Sequence, residues 1–232
     1  MPENKELEML RRAVEVRSVM QKGRIAFSNR LDAMNDGRSE EDSQMKRWYE
    51  AWNDRYQSLE DAATAEIGEF GKGIEIIQRL TAVKGVGYVN AAKLAGMIDI
   101  AKAPTVSSLW RFCGYGVNND TGKAERPTKG EKLHYPRKLQ ATLHVIGISL
   151  IRKDNPYRKE YDGAIAYYQA NRDWTKGHIH LAALRKVIKL FLSHLWLQWR
   201  TLEGLPITDP YVFDKLNHVH MKKPEEYGWP PV

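Results

Sequence analysis

Residues 80–94, "LTAVKGVGYVNAAKL", decide how the chain is read, because Gly85 and Gly87 flank a single valine just before a run of helix formers. Two glycines so near a helix start signal φ values that a Cβ would forbid, or a backbone that must approach something closely. Arranged by physical role, the stretch has the form of a helix-hairpin-helix. One helix ends near Leu80 to Val83, the glycines make a tight turn, and a second helix presents Ala91 and Leu94 to the first. Val83 and Val86 fill the small core between the two. Consecutive N–H groups at the start of the second helix then point outward with positive partial charge, which suits a phosphate oxygen. Lys84 and Lys93 add full charges to the same phosphate track. Such a turn grips the nucleic-acid backbone and ignores the bases, so it supplies affinity and register without sequence choice.

Upstream, the chain contains almost nothing that breaks a helix apart from "NDGRSEED" at 35–42, a cluster of turn formers. Leu7, Leu10 and Val14 begin an apolar stripe that resumes at Phe27, Leu31 and Met34. After the turn, Met45, Tyr49, Trp52, Tyr56, Leu59, Ala63, Ile67, Phe70, Ile74 and Ile77 follow at steps of three and four. That is a heptad seam with one long stride near Ala63, and it predicts a long antiparallel helical hairpin, a coiled coil, over 1–79. Trp48 widens the aromatic stripe beyond a two-stranded seam, so a homodimer through this hairpin is expected.

Downstream, 80–205 reads as a helical domain containing the glycine turn, and 206–232 as an irregular tail rich in Pro, His and Tyr that drapes over the surface. "TVSSLWRFCGYGV" predicts a short helix from Ser107 that runs into a Gly-rich turn. Residues 118–132, "NNDTGKAERPTKGEK", form a flexible basic loop. Three further apolar stripes begin at Leu139, Tyr157 and Leu181. No run alternates with period two, so the fold class is all-α.

Composition narrows the function. Residues 1–80 hold 13 Lys/Arg against 16 Asp/Glu, whereas 81–232 hold 23 against 13. The excess positive charge begins where the glycine turn begins, which points to a polyanion as the partner of the second half. One cysteine, Cys113, excludes an internal disulfide and a Cys-based zinc cage and fits a cytoplasmic location. No apolar run reaches membrane-spanning length and the charged start is unlike a signal peptide, so a soluble protein without membrane contact is expected.

Several phrases in one order carry a family resemblance. They are "RRAVEVRSVMQKGRIAFSNRL" (11–31), "LTAVKGVGYVNAAKLAGMI" (80–98), "LWRFCGYGV" (109–117), "TGK" (121–123), "LHYPRKLQATLHVIG" (133–147), "NPYRKEY" (155–161) and "GHIHLAALRKVIKLFLSHLW" (177–196). Together they resemble the C-terminal region of insertion-sequence 110/116-type transposases. The family's ribonuclease-H-like domain, whose acidic residues bind metal ions, has no counterpart before the coiled coil in these residues. The resemblance also implies a serine nucleophile in a Ser-Gly pair. Thr121, before Gly122, stands at that position, a more crowded alcohol with no general base in view.

The expected activity is therefore non-enzymatic binding of duplex DNA, in a protein of mobile-element or phage origin. The contacts fall to Lys84, Gly85, Gly87 and Lys93, to the basic track Lys123, Arg126, Lys129, Lys132, Arg137 and Lys138, and to Arg185 and Lys186 on a later helix. Neither metal nor cofactor is implied. His178 with His180, and His218 with His220, lie two apart, point in different directions on a helix, and gain no third ligand. Trp174 and Tyr135 suit the core or a stacked base. Three alternatives stand beside this expectation. Thr121 could complete an active site in trans, the coiled coil could dock a protein partner, or the ligand could be structured RNA.

Overall fold

The computed structural model describes residues 5–38, 43–117, 122, 124, 130, 133–152, 154–207 and 222–231. The described residues hold eight α-helices and no strand, only an isolated bridge between Val117 and Ala124, so the all-α class is borne out. The chain divides into two compact units, Met1–Ile74 and Glu75–Val232.

The first unit is a pair of long helices, α1 (Lys5–Asn35) and α2 (Ser43–Gly71). As α1 is followed from Arg17 to Phe27, its partners on α2 descend from Thr64 to Trp48. Phe27 stands within 6.2 Å, centroid to centroid, of the rings of Trp48, Tyr49, Trp52 and Tyr56. Deeper in the pair, Glu60 is buried and accepts from Arg17 Nη2 at 2.7 Å and Arg24 Nε at 2.8 Å. A carboxylate can be buried because two guanidiniums replace its water.

Two details depart from the expected seam. Met45 and Leu59 are exposed, while Ala63 and Ile67 are buried. The stripe also stops short of Ile77, because α2 ends at Gly71 and Ile77 lies in the next helix. Gly71 and Gly73, poor helix formers two apart, account for the break.

The second unit is built around α8 (Lys176–Leu202), whose buried side chains run from Ile179 through Leu184, Ile188, Phe191 and Leu195 to Trp199. Packed on it are α3 (Glu75–Ala82), α5 (Val106–Phe112), α6 (Arg137–Leu150) and α7 (Arg158–Asn171), while α4 (Tyr88–Met97) packs on α3 and α6. The division precedes the expected 79/80 boundary because α3 shares its core with α4 and α8. At the far end of α8, Arg200 donates to the carbonyls of Ile100, Ala103 and Pro206.

Of the expected tail, residues 222–231 are described beyond Ile207, and several of them are packed. A 3-10 turn at Pro224–Tyr227 leads to Trp229, and both Tyr227 and Trp229 are buried. Trp229 Nε1 donates to Tyr157 Oη at 2.9 Å, and Tyr157 Oη lies 2.6 Å from His194 Nδ1. His194 Nε2 lies 3.0 Å from the Lys222 carbonyl, so Nε2 carries the proton and Tyr157 donates to Nδ1. Tyr227 Oη donates to Glu160 at 2.6 Å, and Lys222 pairs with the other carboxylate oxygen. Burial works against that carboxylate, but the bonds from Lys222 and Tyr227 outweigh it and hold Glu160 below its ordinary pKa.

Candidate nucleic-acid interface

The α3–α4 turn forms as the residue types require. Leu80 and Val83 cap the inner face of α3, with Val83 N donating to Leu80 O at 3.2 Å and Val86 N to Val83 O at 3.0 Å. Val83, Val86, Ala91 and Leu94 are all buried. Gly85 takes a φ of +99°, in the left-handed region that favours glycine. Gly87, at φ −82°, is the N-cap of α4, and its carbonyl accepts from the amides of Asn90 and Ala91, both at 3.0 Å. No side chain caps α4, Gly87 and Tyr88 are exposed, and nothing lies within 4 Å of where a Cβ on Gly87 would stand.

The two glycines face different things. A Cβ on Gly85 would stand 3.2 Å from Ser149 O and 3.3 Å from Ser149 C, so its close approach is to the end of α6 within the protein. Both glycines were expected to bring main chain to phosphate; both are exposed, and open space surrounds the Cβ direction at Gly87. Lys84 is exposed, yet its ammonium donates to Asp154 O at 3.1 Å and its own carbonyl accepts from Asn155 Nδ2 at 2.5 Å. Lys93 is half-buried on α4.

The remaining candidates are spread out. Arg137 and Lys138 are exposed in the first turn of α6. At the rise of an α-helix they lie roughly 18 Å along the axis from Ser149 and the turn beside it. Arg185, expected to reach phosphate, is half-buried, and its Nη2 donates to Tyr115 O at 2.7 Å and Gly116 O at 2.6 Å. The reason is local: a sharp turn through Gly114, at φ +78°, leaves carbonyls that need a donor, and a guanidinium supplies one. Lys186 is exposed and close enough to Glu160 to favour its carboxylate. Thr121, Lys123, Arg126, Lys129 and Lys132, like His218 and His220, lie outside the described residues.

The stretch that contains this turn is similar to a known family. Residues 77–162 match the transposase IS116/IS110/IS902 family. No curated protein and no solved structure matches the chain. The resemblance read from the ordered phrases is thus borne out over residues 77–162, from α3 to the start of α7.

Within and beside residues 77–162, several side chains already have partners or are buried. The Cys113 thiol is buried, which pushes its pKa far above the range in which a thiolate forms. His178 stacks on Trp174 with centroids 4.1 Å apart, and His180 Nδ1 lies 2.6 Å from Tyr161 Oη. Tyr135 is buried. Among the described residues no three His, Cys, Asp or Glu side chains are grouped to hold a metal ion. No described helix is long and apolar enough to cross a membrane.

Sequence reasoning missed two residues beside the basic surface. Lys189 lies 3.8 Å from the centroid of the Trp110 ring, and burial, with Arg185 nearby, lowers its pKa to about 8. Asn155 entered the sequence reading as the first residue of "NPYRKEY" with no role assigned, yet it is buried against the turn. An Asn-Pro pair marks a loop, and nothing local says where its amide points.

Proposed function

We propose that this chain binds duplex DNA through a helix-hairpin-helix at residues 80–94, as a non-enzymatic component of DNA transposition. The observation that carries the reading is the uncapped, exposed start of α4 at Gly87, with Lys84 beside it. The first N–H groups of a helix have no partner inside it, and a phosphate oxygen satisfies them with a favourable dipole. Arg137 and Lys138, exposed in the first turn of α6, offer a second contact to the backbone of the same nucleic acid. The transposase match over 77–162 and the basic balance of 81–232 support a nucleic acid as the partner. Lys123, Arg126, Lys129, Lys132 and Lys186 extend the same positive surface in this reading, and Lys93 contributes to it from α4.

Gly87→Val tests the assignment cleanly. At φ −82° and with open space around it, a valine fits the fold but stands across the amides. Binding of unrelated labelled duplexes should weaken about fivefold or more in the variant, and wild-type affinity should fall steeply as salt rises. Unchanged affinity in Gly87→Val, or no binding by the wild type in dilute buffer, removes the reading. Competition with RNA duplexes of the same length tells DNA from RNA.

The first unit supports a homodimer in the same proposal. Met9, Val16, Val19 and Ile25 of α1 are exposed, as are Met45, Trp48 and Leu59 of α2, leaving apolar surface on both helices of the pair.

A further inference from the structure

The inner side of the α3–α4 turn is held at consecutive residues, and one buried side chain takes part in that hold. Asn155 is 6% exposed, in the loop between α6 and α7. Its Nδ2 donates to the Lys84 carbonyl at 2.5 Å while its Oδ1 accepts the amide of Tyr157 at 3.0 Å. Lys84 returns the contact through its ammonium to Asp154 O at 3.1 Å, and Asp154 sits at φ +64°, an uncommon value that aspartate tolerates better than most residues. Next in the chain, Gly85 lies on the Ser149 backbone, and after it Val86 is buried.

We infer that Asn155 is a positioning residue for the anion-binding turn: its side-chain amide ties the Lys84 carbonyl to the α6–α7 loop, so that Gly87 and Tyr88 are presented already ordered. The inference rests on the nucleic-acid reading above and names a residue outside the sequence candidates. The chemistry of the side chain is specific. The site needs a donor toward Lys84 O and an acceptor toward Tyr157 N at one short reach, and a neutral carboxamide supplies both. Aspartate of the same shape keeps the acceptor but loses the donor, and its charge faces a carbonyl. Holding a loop in its bound shape raises affinity by removing the ordering cost that binding would otherwise carry.

Asn155→Asp, made in the full chain, separates positioning from a bulk structural role through its pH dependence. The probe is a labelled mixed-sequence DNA duplex at fixed low salt. At pH 7.5 the ionised variant should bind about five- to tenfold more weakly than wild type, the worth of one buried hydrogen bond. Burial beside a carbonyl raises that carboxyl above its ordinary pKa of about 3.9. As pH falls toward 5 it therefore regains a proton that it can donate to Lys84 O, and the ratio of variant to wild-type Kd should shrink toward one. Taking the ratio cancels the general gain in binding from titrating histidines. Asn155→Ala should be weak at both pH values without recovery. A ratio near one at pH 7.5, or a ratio that ignores pH, overturns the inference while leaving the wild-type binding intact.

Nuclear magnetic resonance on the wild type gives a measurement free of any folding defect in the variants. The Asn155 side-chain amide protons should exchange slowly with solvent, and duplex should shift the Gly87 and Tyr88 amides while leaving the Asn155 amide in place. Exchange at the rate of an exposed carboxamide overturns the inference. A wild type that binds no duplex overturns the nucleic-acid reading and this inference with it.

Discussion

Gly85 and Gly87 look equivalent in a sequence and differ by what a methyl group would meet. At Gly85 it would combine a left-handed φ with a contact at 3.2 Å to backbone that cannot move aside, whereas at Gly87 it would meet nothing. The first glycine is therefore a requirement of the fold, and the second is not. A different residue, His194, sets a pH response of the fold. Burial lowers its pKa from 6.5 to about 4, against smaller opposing effects of the Lys222 carbonyl and Glu160. The unfolded chain takes up the proton as pH drops through about 6.5 and the folded chain does not until about 4, so stability falls across that window by about 1.4 kcal/mol per unit. Glu160 adds a loss only below the ordinary carboxylate range, because its folded pKa is depressed. Urea midpoints measured from pH 7 to 4.5 should decline in the wild type. In His194→Gln the share of that decline owed to His194 should vanish, and an identical slope in both proteins would rule out the buried neutral imidazole.

Helix pairs are decided by small residues as much as by large ones. Gly23 sits in the middle of α1, where glycine costs about 1 kcal/mol relative to alanine. A Cβ there would stand 2.3 Å from a ring carbon of Tyr56, so the glycine makes room for the aromatic face of α2. The sign of Gly23→Ala should consequently depend on its partner. In the wild-type background overpacking by about 1–3 kcal/mol exceeds the propensity gain and destabilises the pair. In a Tyr56→Leu background the obstruction is gone, and Gly23→Ala should stabilise. Hydrogen exchange at α1 and α2 amides reads both, and equal signs would show that the ring has another place to go. The same logic of a partner far away in sequence applies to α8. Gln198 joins Arg79 of α3 to the carbonyl of Pro230, which ties the last described residues to the helical unit.

At the scale of the whole chain, charge and apolar surface are divided between two parts. Residues 1–80 are slightly acidic and 81–232 strongly basic, while Trp48, Val19 and Leu59 lie exposed in the first unit. This division suits a protein that self-associates through one unit and meets a polyanion with the other. Light scattering on the eluted peak at tens of micromolar should then give the mass of two chains, about twice 26.7 kDa. Trp48→Glu with Val19→Glu should shift the peak to one chain without loss of helix content. A wild type that elutes as a single chain would end the dimer proposal and leave the DNA-binding one standing.

The apolar repeats of three and four, the turn cluster at 35–42 and the glycine pair at 85 and 87 were enough to determine an all-helical chain, most of its helices and the place of the α3–α4 turn. These are local signals: helix formation depends on neighbours three and four residues away, so the information is present in a short window. The partner of each polar side chain is not local. Arg185 reads as a surface cation and is spent on carbonyls 69 and 70 residues away, and Asn155 reads as a loop residue and reaches Lys84 across 71. The tail reads as a polar drape, yet Trp229 closes a chain of hydrogen bonds through Tyr157 to His194. Only packing of α8 against its neighbours brought those donors and acceptors together, because a buried polar group must find a partner wherever the fold happens to place one.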